Sequence, residues 1–373
     1  MRLRIIHSLI ILVFLSVSVQ AVQVRAMWVV RHAITSPNEW QSILEMAEEL
    51  KITDLYVQVR ALGQLYGLNT KFNDQQVPLK NLIFQAKLKG IRIHAWLNTL
   101  YIWSGNEAPK DSSHLFHRAQ PSILRSLQDT TLPEYHQYRA QGIEGFYIDP
   151  SDAQNLLDLK ILIAELIHEY GVDGIHLDYI RYPGFEYSFS PSVRTHFMVT
   201  NWFDPIDIYT NLSGNDRSRS AESFLFADEL FRAALREKLT KLVATLFDYS
   251  NQLENKVLFS LAVKPNRQIA WDNYFQDWGK WLEDNLCDQL LLMNYQTDFE
   301  KFKQNVQEAT KTNHLSKIII GISTYNQDYK AVIERIEYIR SLPLAGFALF
   351  SYNHLKEHQD YYLQLRGAMS TKE

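Results

Sequence analysis

Cysteine is almost absent from this sequence, since Cys287 is the only one among 373 residues. A disulfide within the chain and a zinc site built from several thiolates are therefore both excluded. Charge of one sign is also scarce, because 38 basic and 42 acidic side chains leave a net charge of −4. So small an imbalance gives no sign of the basic surface that nucleic acids or anionic membranes attract. We therefore expect no nucleic-acid partner.

Recognisable cofactor motifs are missing as well. Nothing in the sequence resembles a glycine-rich phosphate-binding or dinucleotide-binding loop. We expect no cofactor and no metal, although a metal-dependent hydrolase is one alternative. Aromatic residues are plentiful by contrast, at 13% of the chain. Most of them belong to the core, but aromatic side chains also stack on the flat apolar faces of sugar rings.

The start of the chain carries a short apolar run. Arg2 and Arg4 precede a mostly apolar stretch from Ile5 to Val19, and Ala21 then offers the small residue typical of a signal-peptidase site. A membrane-spanning helix needs about 20 apolar residues. The pattern therefore favours a cleaved secretory signal over residues 1–21, with an uncleaved anchor as the alternative. We expect a bacterial protein exported to the periplasm or exterior, without stable membrane insertion after cleavage.

From residue 22 onward, short β-rich runs alternate with amphipathic helical segments. This alternation is typical of a parallel sheet with crossover helices, and the length suits one enlarged barrel of roughly 250 residues plus insertions. We predict a single (β/α)8 TIM-barrel domain over residues 22–373. The predicted strands are Val24–Val30, Asp54–Val59, Arg92–Leu97, Gly174–Tyr179, Val257–Val263, Gln289–Met293, Lys317–Ile322 and Gly346–Phe350.

Helical segments follow the strands, with a capping signal at Ser36 for the first and an end at Gly90 for the second. The remaining predicted helices are Asp149–Gly171, Ala221–Leu253, Asn273–Asn285, Phe299–Thr312, Tyr329–Ser341 and His354–Met369. Two long insertions, at about 101–146 and 184–218, follow strands three and four. Because loops after strands form the substrate-binding face of this fold, both insertions should build a cleft wall or lid.

The fourth predicted strand carries the main catalytic candidate. Side chains alternate along a strand, so Ile175, Leu177 and Tyr179 should pack on the helices while His176 and Asp178 point into the barrel. A carboxylate in a barrel interior is costly unless it is paired or useful. At the carboxyl end of the strand, Asp178 is predicted to be catalytic; the alternative is a structural aspartate held by an arginine. His176, one layer deeper, would orient it.

Polar and aromatic residues gather at the ends of the other predicted strands. Sugar hydroxyls need directional donors and acceptors, and arginines can hold a carboxylate or an acidic sugar. Arg31, Arg60 and Arg181 would keep Asp178 ionised and position the sugar. The predicted substrate-binding residues are Arg31, Arg60, Trp96, Asn98, Trp103, His176, Arg181, Tyr182, Asn294 and Tyr295.

Several of these motifs together resemble the bacterial glycosyl-hydrolase-like 10 family. They are YIDP at 147–150, YGVDGIHLDYIRYP at 170–183, RAMW at 25–28, QVR at 58–60 followed by a glycine, and HAWLN at 94–98. The resemblance implies a TIM barrel and glycosidase activity, with Asp178 as a catalytic carboxylate. It also implies a polysaccharide substrate, either a bacterial cell-wall glycan or an extracellular polysaccharide. A fainter similarity to chitinase-like barrels lacks their acid glutamate, because Tyr179-Ile180-Arg181 occupies that place.

Most glycosidases need a second carboxyl group, and the sequence offers no obvious one. We choose Asp298, which follows the sixth predicted strand; Glu186, Asp204 and Asp207 are the alternatives on the same rim. The sequence thus predicts an exported glycoside hydrolase that uses Asp178 as nucleophile or base and Asp298 as the second carboxyl group. A non-catalytic glycan-binding barrel, which would lack the acid partner, is the rival interpretation.

Overall fold

A computed structural model of the chain describes residues 23–35, 39–68, 78–127, 142–210 and 221–370. The predicted secretory signal over 1–21 and the capping signal at Ser36 lie outside these residues. Eight parallel strands pair in chain order, and the first also pairs with the last, so the sheet closes into a barrel. Its strands are β1 Val24–Val29, β2 Asp54–Ala61, β3 Arg92–Asn98, β4 Gly174–Asp178, β5 Leu258–Val263, β6 Gln289–Met293, β7 Ile318–Ser323 and β8 Gly346–Phe350. The predicted (β/α)8 fold is confirmed.

The barrel helices surround this sheet, and four of them begin at an aspartate side-chain cap. Asp152, Asp298 and Asp328 each accept a hydrogen bond from a backbone N–H in the first turn of the helix that follows. These bonds satisfy donors that a helix start otherwise leaves unpaired. The helices are α1 Glu39–Glu49, α2 Pro78–Leu88, α3 Ala153–Glu165 with a π-helical turn to Tyr170, α4 Ala221–Gln252, α5 Trp278–Glu283, α6 Phe299–Ala309, α7 Tyr329–Arg340 and α8 Gln359–Ser370.

Two of the predicted helices are wrong in extent. The fifth, predicted from Asn273, begins only at Trp278, because Phe275 has a φ of 57°, a left-handed conformation that an α-helix cannot contain. A separate helix, Arg267–Asn273, precedes it and was not predicted. The last is divided into Tyr352–Glu357 and α8 at His358. A third helix starts four residues later than expected, since Asp152 rather than Asp149 is its N-cap.

The barrel interior is a packed layer of aromatic and polar groups. The inward side chains of the strands form a buried cluster that includes Trp28, Tyr56 and Trp96, whereas Ile175 and Leu177 belong to the core under the helices. His176 accepts a hydrogen bond from Trp28 Nε1 at 3.2 Å and lies 2.9 Å from Ser260 Oγ. The predicted orientation of these β4 side chains is therefore confirmed.

The two insertions lie on the carboxyl-end face of the barrel and contact each other. The first contains a short antiparallel pair, Tyr101–Trp103 with Phe146–Tyr147, and a helical turn at Leu115–Arg118. The second contains helices at Pro191–Asn201 and Ile206–Thr210, and an isolated bridge joins Arg125 of the first to Phe189 of the second.

Asp149 anchors the second insertion to the body of the barrel. This buried carboxylate accepts a hydrogen bond from Ser192 Oγ at 2.9 Å and lies 3.3 Å from Lys238 Nζ on α4. Its position at the junction of three segments explains why it is not a simple helix cap. No helix in the described part of the chain has both the length and the apolar character required to cross a bilayer.

Candidate active site

A cavity of about 450 Å³ opens at the carboxyl ends of the barrel strands. Strand ends supply most of its wall because parallel strands all finish at the same face. It is lined by Trp28, Val30, Arg31, Gln58, Leu62, Trp96, Asn98, Tyr101, Ser104, Glu144, Asp178, Tyr179, Arg181, Ala262, Lys264, Met293, Tyr295, Tyr325 and Phe350.

Asp178, the last residue of β4, lies at the floor of this cavity. Its side chain is only 7% exposed, and each carboxyl oxygen accepts a hydrogen bond within the protein. Trp96 Nε1 donates to Oδ2 at 3.1 Å, and the Tyr179 amide donates to Oδ1 at 2.6 Å. Burial raises the pKa of Asp178 above its usual value, although Arg181 and the Tyr179 amide oppose that rise. The site therefore favours a proton on this carboxyl more than water does.

Glu144 brings a second carboxyl group into the same cavity. It comes from the first insertion, two residues before the strand Phe146–Tyr147 begins. Arg181 Nη2 donates to Oε1 of Glu144 at 3.0 Å, and the Tyr147 hydroxyl donates to Oε2. Partial burial would raise the pKa of Glu144, but the Arg181 charge and the Tyr147 hydrogen bond outweigh it and lower the pKa below the usual range. Glu144 is therefore held as a carboxylate.

Arg181 connects the two carboxyl groups. Its Nη1 lies 3.7 Å from Oδ1 of Asp178, while its Nη2 contacts Glu144. The guanidinium is almost fully buried and stacks over the Tyr179 ring, 4.2 Å from the ring centre. One cation thus contacts two acids whose pKa values move in opposite directions.

Aromatic rings form opposite walls of the cavity. Tyr295 packs 5.4 Å from Phe350 on one side, and Tyr101 stacks 4.7 Å from Tyr179 on the other. The expectation that Tyr179 packs on the helices is wrong. Its φ of 52° turns the chain at the strand end and directs the ring over the cavity. Such walls suit the flat faces of sugar rings.

Six of the predicted site residues line this cavity together. Arg31 Nη1 donates to Gln58 Oε1 at 3.2 Å, and Gln58 Nε2 donates to Asn98 Oδ1 at 3.2 Å. This chain of hydrogen bonds fixes the polar wall above β1, β2 and β3. The six are Arg31, Trp96, Asn98, Asp178, Arg181 and Tyr295.

Arg60 and Asp298 lie away from the cavity for local reasons. The β2–β3 register shifts between Gln58 and Arg60, and the Arg60 guanidinium then donates to the Asn98 carbonyl and to Asn155 Oδ1 at 2.7 Å. Asp298 accepts the Lys301 amide at 2.9 Å as the N-cap of α6. Neither side chain is directed into the cavity.

The remaining predicted residues are packed into the structure around the site. Trp103 donates to the Glu107 carbonyl at 2.8 Å, and Tyr182 packs against Phe275. Asn294 bonds to the Phe302 carbonyl and to Asn305, while His176 lies beneath Trp28. Burial lowers the pKa of His176 well below its usual value, so this histidine is neutral. It supports the floor of the cavity through Trp28.

Two functional candidates were missed at the sequence level, Glu144 and Lys264. Lys264 directly follows β5, so its place at a strand end was a usable signal. Glu144 gives a weaker signal, the neighbouring Gly145, where a Cβ would lie 2.3 Å from the Trp103 carbonyl oxygen. A glycine required by close backbone contact marks a packed turn rather than a free loop.

One histidine pattern could suggest a metal site. His354 and His358 are four residues apart with Glu357 between them, as in some zinc enzymes. Their rings stack on each other at 4.2 Å, and the helix is interrupted at His358. Throughout the described ranges, no three His, Cys, Asp or Glu side chains are grouped so that they could hold a metal ion.

Comparison with known proteins agrees with this architecture. The β-amylase catalytic domain from Paenibacillus polymyxa is 11% identical, with a TM-score of 0.55 over 89% of this chain and 93% of that one. The α-L-fucosidase isoenzyme 2 from Paenibacillus thiaminolyticus is 9% identical, with a TM-score of 0.54 over 94% of this chain and 49% of that one. At these identities the likeness shows a shared fold. A search of curated protein sequences finds no match.

The sequence itself matches one family model over most of its length. The glycosyl hydrolase-like 10 model covers residues 23–335, which include all the cavity-lining residues except Phe350. The chain therefore belongs to the glycosyl hydrolase-like 10 family.

Proposed function

We propose that this protein is an exported glycoside hydrolase in which Asp178 and Glu144 form the catalytic carboxyl pair. Its substrate would be a bacterial cell-wall glycan or an extracellular polysaccharide. The observation that carries the proposal is that two acids of one cavity contact the same guanidinium, Arg181. Glycosidases of the commonest type act through two such carboxyl groups on either side of the scissile bond.

The opposite pKa shifts support a division of roles. Asp178, whose pKa is raised by burial, would donate its proton to the glycosidic oxygen as the bond to the anomeric carbon breaks. Glu144, whose pKa is lowered chiefly by Arg181 against its partial burial, would remain ionised. It would then attack the anomeric carbon or remove a proton from the attacking water. Glu144 thus replaces Asp298 as the proposed partner, and Asp178 becomes the acid.

The remaining walls of the cavity would bind the sugar. Trp96, Tyr295 and Phe350 offer apolar ring faces, while Arg31 and Asn98 offer donors and an acceptor to hydroxyl groups.

Export rests on the signal pattern at residues 1–21. Fractionation of cells that express the full chain, followed by N-terminal sequencing, tests that part directly. Protein that stays in the cytoplasm with residues 1–21 intact would contradict export.

A non-catalytic glycan-binding barrel is the second candidate. It is favoured by one observation, that Arg181 and Tyr147 already engage the Glu144 carboxylate. The two candidates differ in turnover, so release of reducing ends from peptidoglycan strands and exopolysaccharides separates them. Glycan binding by calorimetry without any release would support the binding protein.

Substitution of each acid tests the hydrolase directly. Asp178→Asn and Glu144→Gln should each lower turnover roughly 10²–10⁴-fold, as loss of an acid or base usually does, while the fold is kept. Glu186→Gln is the matched control, because this exposed acid on the same rim lies outside the cavity lining. Undiminished hydrolysis in Asp178→Asn would refute the assignment.

A further inference from the structure

The cavity holds more positive than negative charge, although the whole chain is slightly acidic. Three cations line it, Arg31, Arg181 and Lys264, against two acids, Asp178 and Glu144. With both acids ionised the lining carries one excess positive charge, and with Asp178 protonated it carries two. The net charge of the protein is −4, so this excess is local to the cavity.

Lys264 differs from the two arginines of this cavity, because its ammonium has no hydrogen-bond acceptor among the described residues. Arg181 is committed to Glu144 and Asp178, and Arg31 is bonded to Gln58. The ammonium of Lys264 has neither a hydrogen bond nor an ion pair with any of the described residues, and it lies 4.6 Å from the centre of the Tyr274 ring. The Lys264 side chain is partly buried and lines the cavity, so its three N–H donors can bind an acceptor that enters the cavity.

The position of Lys264 is fixed by the fold. It directly follows β5, and its backbone N–H donates to Gln276 Oε1 at 3.0 Å. Burial lowers the pKa of Lys264 to about 8, aided by the Arg181 charge and opposed by Glu144 and Asp178. The lysine therefore shares one electrostatic environment with the carboxyl pair and is a cation at neutral pH.

Arg31 lies on the far side of the barrel mouth. It follows β1, and the first and fifth strands of a closed eight-stranded barrel face each other across the axis. Its bond to Gln58 uses part of a guanidinium that carries five N–H donors. Two cationic positions thus lie at opposite ends of one cavity, with the carboxyl pair beside Lys264.

We infer that the cavity takes an acidic glycan and that Lys264 binds a sugar carboxylate in the subsite next to Asp178 and Glu144. This inference rests on the proposed function and narrows its substrate class. A repeating acidic polymer would place a second carboxylate toward Arg31. The carboxylate could belong to a uronic acid or to the lactyl group of a muramic acid, and the two sources share the chemistry that Lys264 recognises.

Matched glycan pairs test the inference. The probes are peptide-free peptidoglycan glycan strands and oligouronides, each beside its carboxyl-reduced form, and affinity for the mature protein is measured by calorimetry. One charge-assisted hydrogen bond corresponds to a roughly tenfold to hundredfold preference for the carboxylated form. The type of glycan that shows this preference, peptidoglycan strand or oligouronide, identifies the source of the carboxylate.

Lys264→Met should remove the preference, because it keeps the apolar stem and deletes the charge. Lys264→Arg should restore part of it, and Lys280→Met on the outer surface of α5 should leave it unchanged. A thermal unfolding curve for each variant establishes that the fold is intact. Equal binding of native and reduced glycans by the wild type, binding of neither acidic probe, or a preference that survives Lys264→Met would each overturn the inference.

Hydrolysis of the same pairs separates this inference from the proposed function. Equal cleavage of native and carboxyl-reduced glycans would refute acidic recognition while the hydrolase stands. A clear binding preference without release of reducing ends would support acidic recognition and refute the hydrolase.

Discussion

Removal of Arg181 tests the geometry of the site without any knowledge of the substrate. Its guanidinium lies 3.0 Å from Oε1 of Glu144 and 3.7 Å from Oδ1 of Asp178. Arg181→Met keeps the apolar part of a side chain that packs on Tyr179 and removes the charge. Two neighbouring carboxyl groups then lose their shared counter-charge, so we expect the free energy of unfolding to fall.

Exposure sets the size of that loss. Breaking a fully buried ion pair by removing one partner costs about 3–5 kcal/mol, whereas an exposed pair contributes about 0.2–1 kcal/mol. The Glu144 side chain is 45% exposed and that of Asp178 is 7% exposed. Water therefore screens the Arg181–Glu144 pair, whose coupling we place at about 1–2 kcal/mol. Because Asp178 is protonated in its proposed role, its loss is small, and Arg181→Met should lose about 1–3 kcal/mol in all.

A double-mutant cycle measures the coupling. Urea unfolding at pH 7 is followed for the wild type, Arg181→Met, Glu144→Gln and the double variant. The pair Arg236–Glu229, with side-chain exposures of 8% and 56%, is the matched control, since it lies outside the cavity. It should show a similar coupling.

The pH dependence of the cycle has a definite sign. Because the folded state lowers the pKa of Glu144, its stabilising contribution is present above the unfolded pKa of about 4.3 and is lost as pH falls through the folded value. The coupling should therefore shrink below about pH 4. Additive effects of Arg181→Met and Glu144→Gln within about 0.5 kcal/mol at pH 7 would show that the two residues do not interact.

Two further predictions concern a cation and a glycine. Affinity for acidic glycans should be constant between about pH 5 and 7, where carboxylates are ionised, and fall as pH rises through about 8, the pKa of Lys264. The charged neighbours of Lys264 are Arg181, Glu144 and Asp178. Calorimetry checks this, and a profile unchanged in Lys264→Arg would argue against it. Gly346→Ala should cost more than about 3 kcal/mol in urea unfolding, because its Cβ would lie 1.9 Å from the Val24 carbonyl oxygen where β8 closes on β1. Gly367→Ala, with open space in α8, should be neutral or stabilising.

The barrel was predictable because its strands are short apolar or alternating runs separated by helical segments. Local pattern alone indicates such elements, and the closure of eight parallel strands follows from their number. The late start of the fifth helix was not predictable in this way. It depends on a left-handed Phe275, and a bulky aromatic residue gives no signal for that conformation.

Within the candidate site, too, regular strand alternation predicts the position of some residues and not of others. Asp178, Trp96 and Asn98 lie at or near the carboxyl ends of regular strands, so period-two alternation directs them to the barrel mouth. Arg60 fails the same rule because a register shift in β2 redirects it. Asp298 was chosen for its place after a strand, but an aspartate at that place also caps a helix, and the capping hydrogen bond holds it there.

Glu144 could not be placed from pattern, because its position depends on pairing within an irregular insertion. The ladder between Tyr101–Trp103 and Phe146–Tyr147 sets the backbone that follows it, and the Tyr101 hydroxyl donates to its carbonyl oxygen at 3.1 Å. A rigid strand thus supplies one acid and an insertion supplies the other. Arg181 contacts both, so any shift of the insertion changes the charge around Asp178 as well as the position of Glu144. We therefore expect the first insertion, more than the barrel, to determine whether a member of this fold cleaves a glycan or only binds it.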